Sequence, residues 1–534
     1  MPASLLMAAA IVLFTAGYVF YGRFLARRMD IDPLRKTPAH VRRDGVDYVP
    51  AKWPVLLGHH FASIAGAGPI IGPIYAAVFG WVPVFLWILV GSLFFGGVHD
   101  FTALVASIRH GGKSIGEVIE ERIGRSGKRM FLVFTWFMLI LVMAVFMNAV
   151  AGTFVTEPAS ATASMLFILL AVLFGLTVYR MKAPLGITSV AGVILLLGCI
   201  ALGLRFPLTL PYGVWIAALL VYVYAASVTP VWILLQPRDY LNAFLLYMIL
   251  LGGMAGIFVT RPTVSFPAVT AFRTDAGFLF PVLFVTMACG AISGFHSLIG
   301  SGTTAKQLDR ETDARIVGYG GMLIEGILAV VALITAVTLL QPDYFRAVTI
   351  AGGGPIRVFA SGVGGFIASL GIPMEIAVTF AALAISAFAL TSLDTATRLG
   401  RFVFQEFFEN RGGGKSSPLS KNRYIGTTVT VGAAALLMFS GSGAALWPLF
   451  GSANQLLAAL ALLAVTLWLA KAGKKNGFTK IPMIFMFAVT LAALGNLIYD
   501  NAVKGNVVLL VIGVVLLGLA GSLIAESVRR LRKG

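Results

Sequence analysis

The chain has 534 residues, of which 58% are hydrophobic and 12% charged, and its mean hydropathy is +0.92. A soluble domain carries about 25% charged residues, so this chain cannot cover a water-facing surface and the bilayer is its main solvent. The net charge of +18 would suit a nucleic-acid binder in a soluble protein, but here the charges sit in short loops between apolar runs and read as topology signals.

The first apolar run, Leu5 to Tyr21, has its basic residues after it (Arg23, Arg27, Arg28). A cleaved signal would have them before, so the run reads as a retained span. Apolar runs of roughly 20 residues, each long enough for a ~30 Å hydrocarbon layer, recur near 3–22, 61–80, 82–108, 130–154, 161–180, 185–204, 212–235, 240–260, 278–299, 316–340, 372–396, 424–443, 447–470, 481–499 and 506–526. The expected fold is therefore an all-α membrane protein of about fifteen transmembrane helices. With the N-terminus outside, the inner loops hold 34 of the 40 Lys and Arg and the outer loops 6. That asymmetry is a strong positive-inside signal and leaves the C-terminus cytoplasmic. The two cysteines, Cys199 and Cys289, lie in separate runs and form neither a disulfide framework nor a zinc site.

Two spans are interrupted. The second contains Gly66-Ala67-Gly68-Pro69-Ile70-Ile71-Gly72-Pro73, and the seventh contains Ala226-Ser227-Val228-Thr229-Pro230-Val231-Trp232. Proline and glycine remove backbone hydrogen bonds and backbone order, and in a membrane the freed groups need protein, water or a ligand. Spans two and seven are an odd number apart and so run in opposite directions. That predicts a five-plus-five inverted repeat, with interrupted helices at matching places around a midplane site. The organisation that follows is 1–53, a peripheral first helix and basic cytoplasmic loop; 54–210, the first repeat; 211–410, the second; 411–423, a polar, Gly-rich linker; and 424–534, four C-terminal spans. Packing kinks are the simpler reading of either break alone. The outer stretch 341–371, with Gly352-Gly353-Gly354-Pro355, reads as a flexible lid or a short re-entrant piece.

Polar residues at membrane depth come next. Ser293, His296 and Ser297 fall at i, i+3 and i+4, hence on one helix face. Their hydroxyls are candidate Na⁺ ligands at Ser293 and Ser297, and the histidine suits proton uptake and release; the structural alternative is hydrogen bonding within and between helices. His59 and His60 sit at the inner entrance of the broken second span, where packing at the interface is the default. Asp100 has a choice of partners near His99 or at Arg109, or a proton-relay role. Glu325 has no basic residue nearby in sequence and needs a partner or a proton. Asp394 precedes Arg398 by four residues, which favours a helix-surface ion pair. Asn454 and Gln455 suit helix–helix hydrogen bonding.

Gly112-Lys113-Ser114 and Gly414-Lys415-Ser416 look like P-loop ends, but Ser107 and Glu409 stand where the first glycine is needed. No H-E-x-x-H or G-x-S-x-G occurs. Nothing points to an enzyme or to a cofactor.

Several strings resemble the carbon starvation protein A family of bacterial permeases: Gly58-His59-His60-Phe61-Ala62-Ser63-Ile64-Ala65-Gly66-Ala67-Gly68-Pro69, Gly97-Val98-His99-Asp100-Phe101, and Pro230-Val231-Trp232 through Gln236-Pro237-Arg238-Asp239-Tyr240-Leu241. Ser293-Gly294-Phe295-His296-Ser297, Ser301-Gly302-Thr303-Thr304 and Leu449-Phe450-Gly451-Ser452-Ala453-Asn454-Gln455-Leu456 also match. The resemblance implies a multi-pass protein of the bacterial inner membrane that takes up peptides or pyruvate when preferred carbon sources run low. It also implies kinship with the amino acid–polyamine–cation transporter fold. There the first helix of each repeat is unwound around the substrate, and the eighth core helix, here the ninth span, helps hold the coupling ion.

The expected function is secondary active transport: symport of small peptides or pyruvate with protons or sodium. Gly66, Gly68, Pro69, Ser227, Thr229 and Trp232 are the candidate substrate-lining residues. Ser293, His296 and Ser297 are candidates for the coupling ion, and His60, Asp100, Glu325 and Asp394 are secondary candidates. A nutrient sensor or signalling scaffold with a transporter fold, signalling through the basic loop 23–53 or a partner, is the alternative. No nucleic-acid partner is expected.

Overall fold

In hydrocarbon a chain rich in apolar runs satisfies its own N–H and C=O groups by coiling into helices, and this chain does so throughout. A computed structural model describes residues 1–533 apart from 46, 231–232, 350–352, 410–416 and 441–445. Among the described residues the strands are one two-residue antiparallel pair, Arg273–Thr274 with Gly277–Phe278. Among the described residues eleven helices are long and apolar enough to cross a bilayer. A bent pair, Trp53–Ile64 and Gly68–Phe79, turns by 48° at its break and makes a possible twelfth. Tyr212–Val228, Gly354–Ala368 and Arg423–Phe439 are shorter apolar helices.

The two longest helices, Arg125–Thr156 and Met374–Phe407, pack along each other at the centre. Pro158–Gly175 and Leu185–Arg205 form a hairpin, whose outward residues Ile187, Val190 and Ile194 are exposed in a way that suits lipid contact. The stretch 341–371, read from sequence as a lid or re-entrant piece, holds two helices, Gln341–Ala347 and Gly354–Ala368.

The second span breaks where its sequence predicts. Helix Trp53–Ile64 stops at Ala65, and a new helix starts at Gly68 with Pro69 in its first turn, the position where a missing N–H is tolerated. The seventh span does not break midway. Helix Tyr212–Val228 ends, and Leu235–Thr260 is a separate helix. Pro230 therefore marks a helix terminus, a role its missing N–H fits as well as a kink.

The second interruption lies instead in the ninth span. Leu279–Thr286 leads through a short 3₁₀ turn at Ala288–Gly290 to non-helical backbone, and Gly294–Ile299 resumes the helix. The two breaks face each other. A Cβ on Gly68 would lie 2.6 Å from Cys289 Sγ, and one on Gly72 2.6 Å from the Met287 carbonyl oxygen. Glycine permits this close backbone approach.

On the side read as cytoplasmic, the loop after the first helix is tied to the core. Thr37 Oγ1 donates to the Leu308 carbonyl at 2.6 Å, and the Ala51 amide donates to Gln307 at 2.8 Å. Buried Glu311 receives Arg35 at 3.3 Å and Arg109 Nε at 2.9 Å. Asp30 pairs with Lys474 at 2.6 Å.

Candidate functional site

Taking a charge into a membrane interior is expensive, so buried ionisable groups there mark candidate sites. Two such clusters flank the facing breaks.

The first joins three helices. From Gly97–Arg109 come His99 and Asp100, from Gly294–Ile299 comes His296, and from Gly321–Val337 comes Glu325. His99 Nδ1 lies 2.7 Å from Asp100 Oδ1, and His296 Nδ1 lies 2.8 Å from Asp100 Oδ2. His296 Nε2 faces Glu325 Oε2 at 3.4 Å. All four side chains are fully buried. Both nitrogens of one imidazole thus point at carboxylates. That arrangement holds an imidazolium between two anions, or passes its proton to either one. His60, also buried, places Nδ1 2.8 Å from Thr304 Oγ1. Asp100 pairs with the histidines and not with Arg109, whose partner is Glu311. Glu325 finds the partner that its sequence neighbours could not supply.

The second cluster lies on the other side of the first break. Ser392 Oγ donates to the Ser63 carbonyl at 3.4 Å, and a Cβ on Gly66 would lie 2.5 Å from that hydroxyl. Next to it, Thr391 Oγ1 receives Asn242 Nδ2 at 2.8 Å and Arg238 Nη2 at 3.3 Å. Arg238 Nη1 binds Asp394, which Tyr222 also reaches through its hydroxyl at 2.8 Å. Asp394 is thus not in the local pair with Arg398 that the spacing favours. Arg398 instead donates to the Ala226 and Thr229 carbonyls at 2.8 Å. The tertiary partner wins because Asp394 faces inward, while Arg398 is drawn to carbonyls left free at the end of helix Tyr212–Val228.

Helix Leu446–Lys471 supports the ninth-span break. Asn454 Oδ1 accepts the Phe295 amide at 2.9 Å, and its Nδ2 donates to Ser293 Oγ at 3.0 Å. Trp447 donates to the Thr286 carbonyl at 3.1 Å, and Gln455 to the Phe284 carbonyl at 2.6 Å. These bonds satisfy backbone groups that the interruption frees.

Of the sequence candidates, Gly66, Gly68 and Pro69 lie at the break, and His60, Asp100, His296 and Glu325 are buried beside it. Ser293 does not share a helix face with His296 and Ser297. It is the extended residue preceding the resumed helix, because the chain breaks at that point. Its hydroxyl and that of Ser297, which donates to the Gly294 carbonyl at 2.7 Å, are engaged within the protein. Ser227 Oγ lies 3.2 Å from Thr427 Oγ1 on another helix, and Thr229 Oγ1 bonds its own helix at Ala225; neither contact is with the break at Gly66. Trp232 lies outside the described residues. Sequence reasoning missed His99, Arg238 and Thr304 as cluster members. Arg238 had a signal, an Arg-Asp pair opening a span, but it reads as loop charge.

The model for the carbon starvation protein CstA matches residues 2–353 and 346–493. The peptide transporter CstA of Campylobacter jejuni is 35% identical over 91% of this chain and 79% of its own. The peptide transporter CstA of Bacillus subtilis is 33% identical over 91% and 89%. The pyruvate/proton symporter BtsT of Escherichia coli is 32% identical over 93% and 82%. Among solved structures, a manganese transporter of Eremococcus coleocola aligns over 91% of this chain and 98% of its own, with a TM-score of 0.52 and 13% identity; that likeness is one of fold. Apolar helices of spanning length, relatives that are bacterial transporters and a family match along nearly the whole length agree: the protein is a multi-pass transporter of the bacterial inner membrane, and the chain belongs to the carbon starvation protein CstA family.

Proposed function

We propose that the protein is a secondary symporter that imports small peptides or pyruvate, with protons as the coupling ion and Asp100, His296 and Glu325 as the proton-carrying group. The observation that carries this reading is His296, fully buried, with a carboxylate at each ring nitrogen. Such a group can change charge by one proton without leaving the protein interior. The proton named for the BtsT relative supports protons over sodium, as does the engagement of Ser293 and Ser297 in internal hydrogen bonds.

The proposed frame is a five-plus-five inverted repeat with fifteen crossings, N-terminus outside and C-terminus inside. In place of the boundaries 54–210 and 211–410 expected from the sequence, the first repeat is drawn over Trp53–Thr260 and the second over Leu279–Lys471, because the second interruption lies in the ninth span. Their first helices are the two broken ones, whose interruptions touch. Their third helices are the long central pair, and their fourth are the two 17-residue helices Tyr212–Val228 and Arg423–Phe439. The hairpin of Pro158–Gly175 and Leu185–Arg205 is an insertion in the first repeat. In this frame the helix N-termini at Gly68 and Gly294 both lie at the breaks, where their partial positive charge favours a substrate carboxylate.

The test is uptake of labelled pyruvate and of labelled dialanine into proteoliposomes under imposed proton and sodium gradients in turn. Accumulation driven by the proton gradient is expected. Accumulation driven by sodium alone overturns the proton assignment, and no uptake under either gradient overturns the substrate assignment.

A further inference from the structure

Peptides and pyruvate share one feature, a carboxylate, and helix N-termini meet it with partial charge only. Arg238 supplies a full one. It is 1% exposed, sits in the first turn of Leu235–Thr260, and is linked through Thr391 and Ser392 to the break at Gly66. A guanidinium binds a carboxylate best through two parallel N–H groups. One such edge, Nε with Nη2, is poorly used here. Among the described residues Nε has no hydrogen-bond partner. Nη2 makes only long contacts, to Asp239 Oδ1 at 3.2 Å and Thr391 Oγ1 at 3.3 Å. Asp394 engages only Nη1, through Oδ2, and its Oδ1 has no partner among the described residues. Asn242 Oδ1, beside Thr391, is likewise buried and unpartnered. His59, a quarter exposed, lies 3.9 Å from Asp239, the neighbour of Arg238 in sequence.

We propose that Arg238 is the anchor for the substrate carboxylate, taking it on its Nε–Nη2 edge, and that Asp394 is the internal anion competing for the same charge. The inference rests on the transport reading above and names the group that recognises the solute. It places recognition on a helix that carries no break, beside Thr391 and Asn242. The groups facing Asp394 are Tyr222 from Tyr212–Val228, Arg238 and Asp239 from Leu235–Thr260, and Arg398 from its own helix. Replacing Asp394 by a neutral isostere therefore leaves Arg238 freer for an incoming carboxylate.

The experiment uses the full chain in proteoliposomes under a proton gradient, with labelled pyruvate and labelled dialanine as separate arms. Each free acid and its carboxamide serve as competitors. Wild type is expected to prefer the acid over the amide by about 10- to 100-fold, the range for a charge-assisted bidentate contact. Arg238→Gln is expected to raise KM by a similar factor and to erase that preference, with Arg238→Lys between. Asp394→Asn is expected to lower KM. The arm that responds identifies peptide or keto acid as the source of the carboxylate. Arg238→Gln with an intact acid preference overturns the proposal, as does wild type that ignores the acid–amide difference. If Arg238→Gln does not fold, the wild-type competition and the Asp394→Asn KM decide. If wild type transports neither solute, the substrate reading fails. Equilibrium binding of acid and amide to wild type and Arg238→Gln in detergent then tests the anchor alone, and equal binding of both by wild type overturns it.

Discussion

At His296 the cost of burial is offset only because a carboxylate stands on each side of the ring. Replacing it with glutamine keeps a hydrogen-bonding amide near Asp100 but removes the titratable charge. His296→Gln is expected to abolish accumulation driven by a proton gradient while solute exchange across the membrane persists; loss of both would mean that the residue is needed for substrate binding or folding. The glycines of the first break act through space and not charge. A Cβ on Gly72 would lie 2.6 Å from a backbone oxygen, and backbone yields less than a side chain does. Gly72→Ala is expected to cost about 1–3 kcal/mol, seen as a lower Tm in detergent. Gly432→Ala, where a Cβ meets nothing within 4 Å, is expected to leave Tm unchanged. The prominence of Gly66, His296 and Glu325 was legible in the sequence because polar or helix-breaking residues are conspicuous in apolar runs. Arg238 was not, because a charge at the start of a span looks like any loop charge until its partner, Asp394, 156 residues away, is brought to it.

The elements show why one break was legible and the other was not. Gly66-Ala67-Gly68-Pro69 announces itself through proline, whereas the ninth-span break carries Gly290 and Gly294 but no proline between them. It is held open by another helix. Asn454→Ala leaves the Phe295 amide without its acceptor, at about 1–3 kcal/mol for an unsatisfied buried group, and a lower Tm together with reduced uptake is expected. On the side read as cytoplasmic, the hydrogen bond from Lys474 holds the Asp30 carboxyl below its ordinary range, with the charges of Lys474, Arg109 and Arg35 adding to the effect. A depressed carboxylate stabilises the fold above its unfolded pKa of about 3.9 and loses that contribution as pH falls through the lower folded value. The gain is small for so exposed a pair, under about 1 kcal/mol. The Tm difference between wild type and Lys474→Ala is expected at pH 6 and is expected to shrink as the pH falls below about 4.

For the whole molecule, the proposed orientation rests on the loops. The basic residues concentrate in alternate loops, and Lys504 and Lys475 fall on opposite sides in the proposed frame. Both are exposed, while the native cysteines are buried. Lys504→Cys is expected to react with an impermeant maleimide on intact cells, and Lys475→Cys only after permeabilisation; the reverse pattern would invert the topology.

The sequence by itself determined that this chain lives in a bilayer, since its apolar runs leave no other solvent, and it marked the first break and most of the buried titratable groups. It also carried the family, in strings of mixed residues that periodicity alone does not produce. The tertiary structure alone decided which groups meet. Helix ends and helix breaks have the same local chemistry, a proline or glycine and unpaired backbone groups, so Pro230 and Ser293 could be told apart only by what packs against them. Ion pairs in a low-dielectric interior form with whatever faces them across helices, and sequence spacing cannot see across that gap.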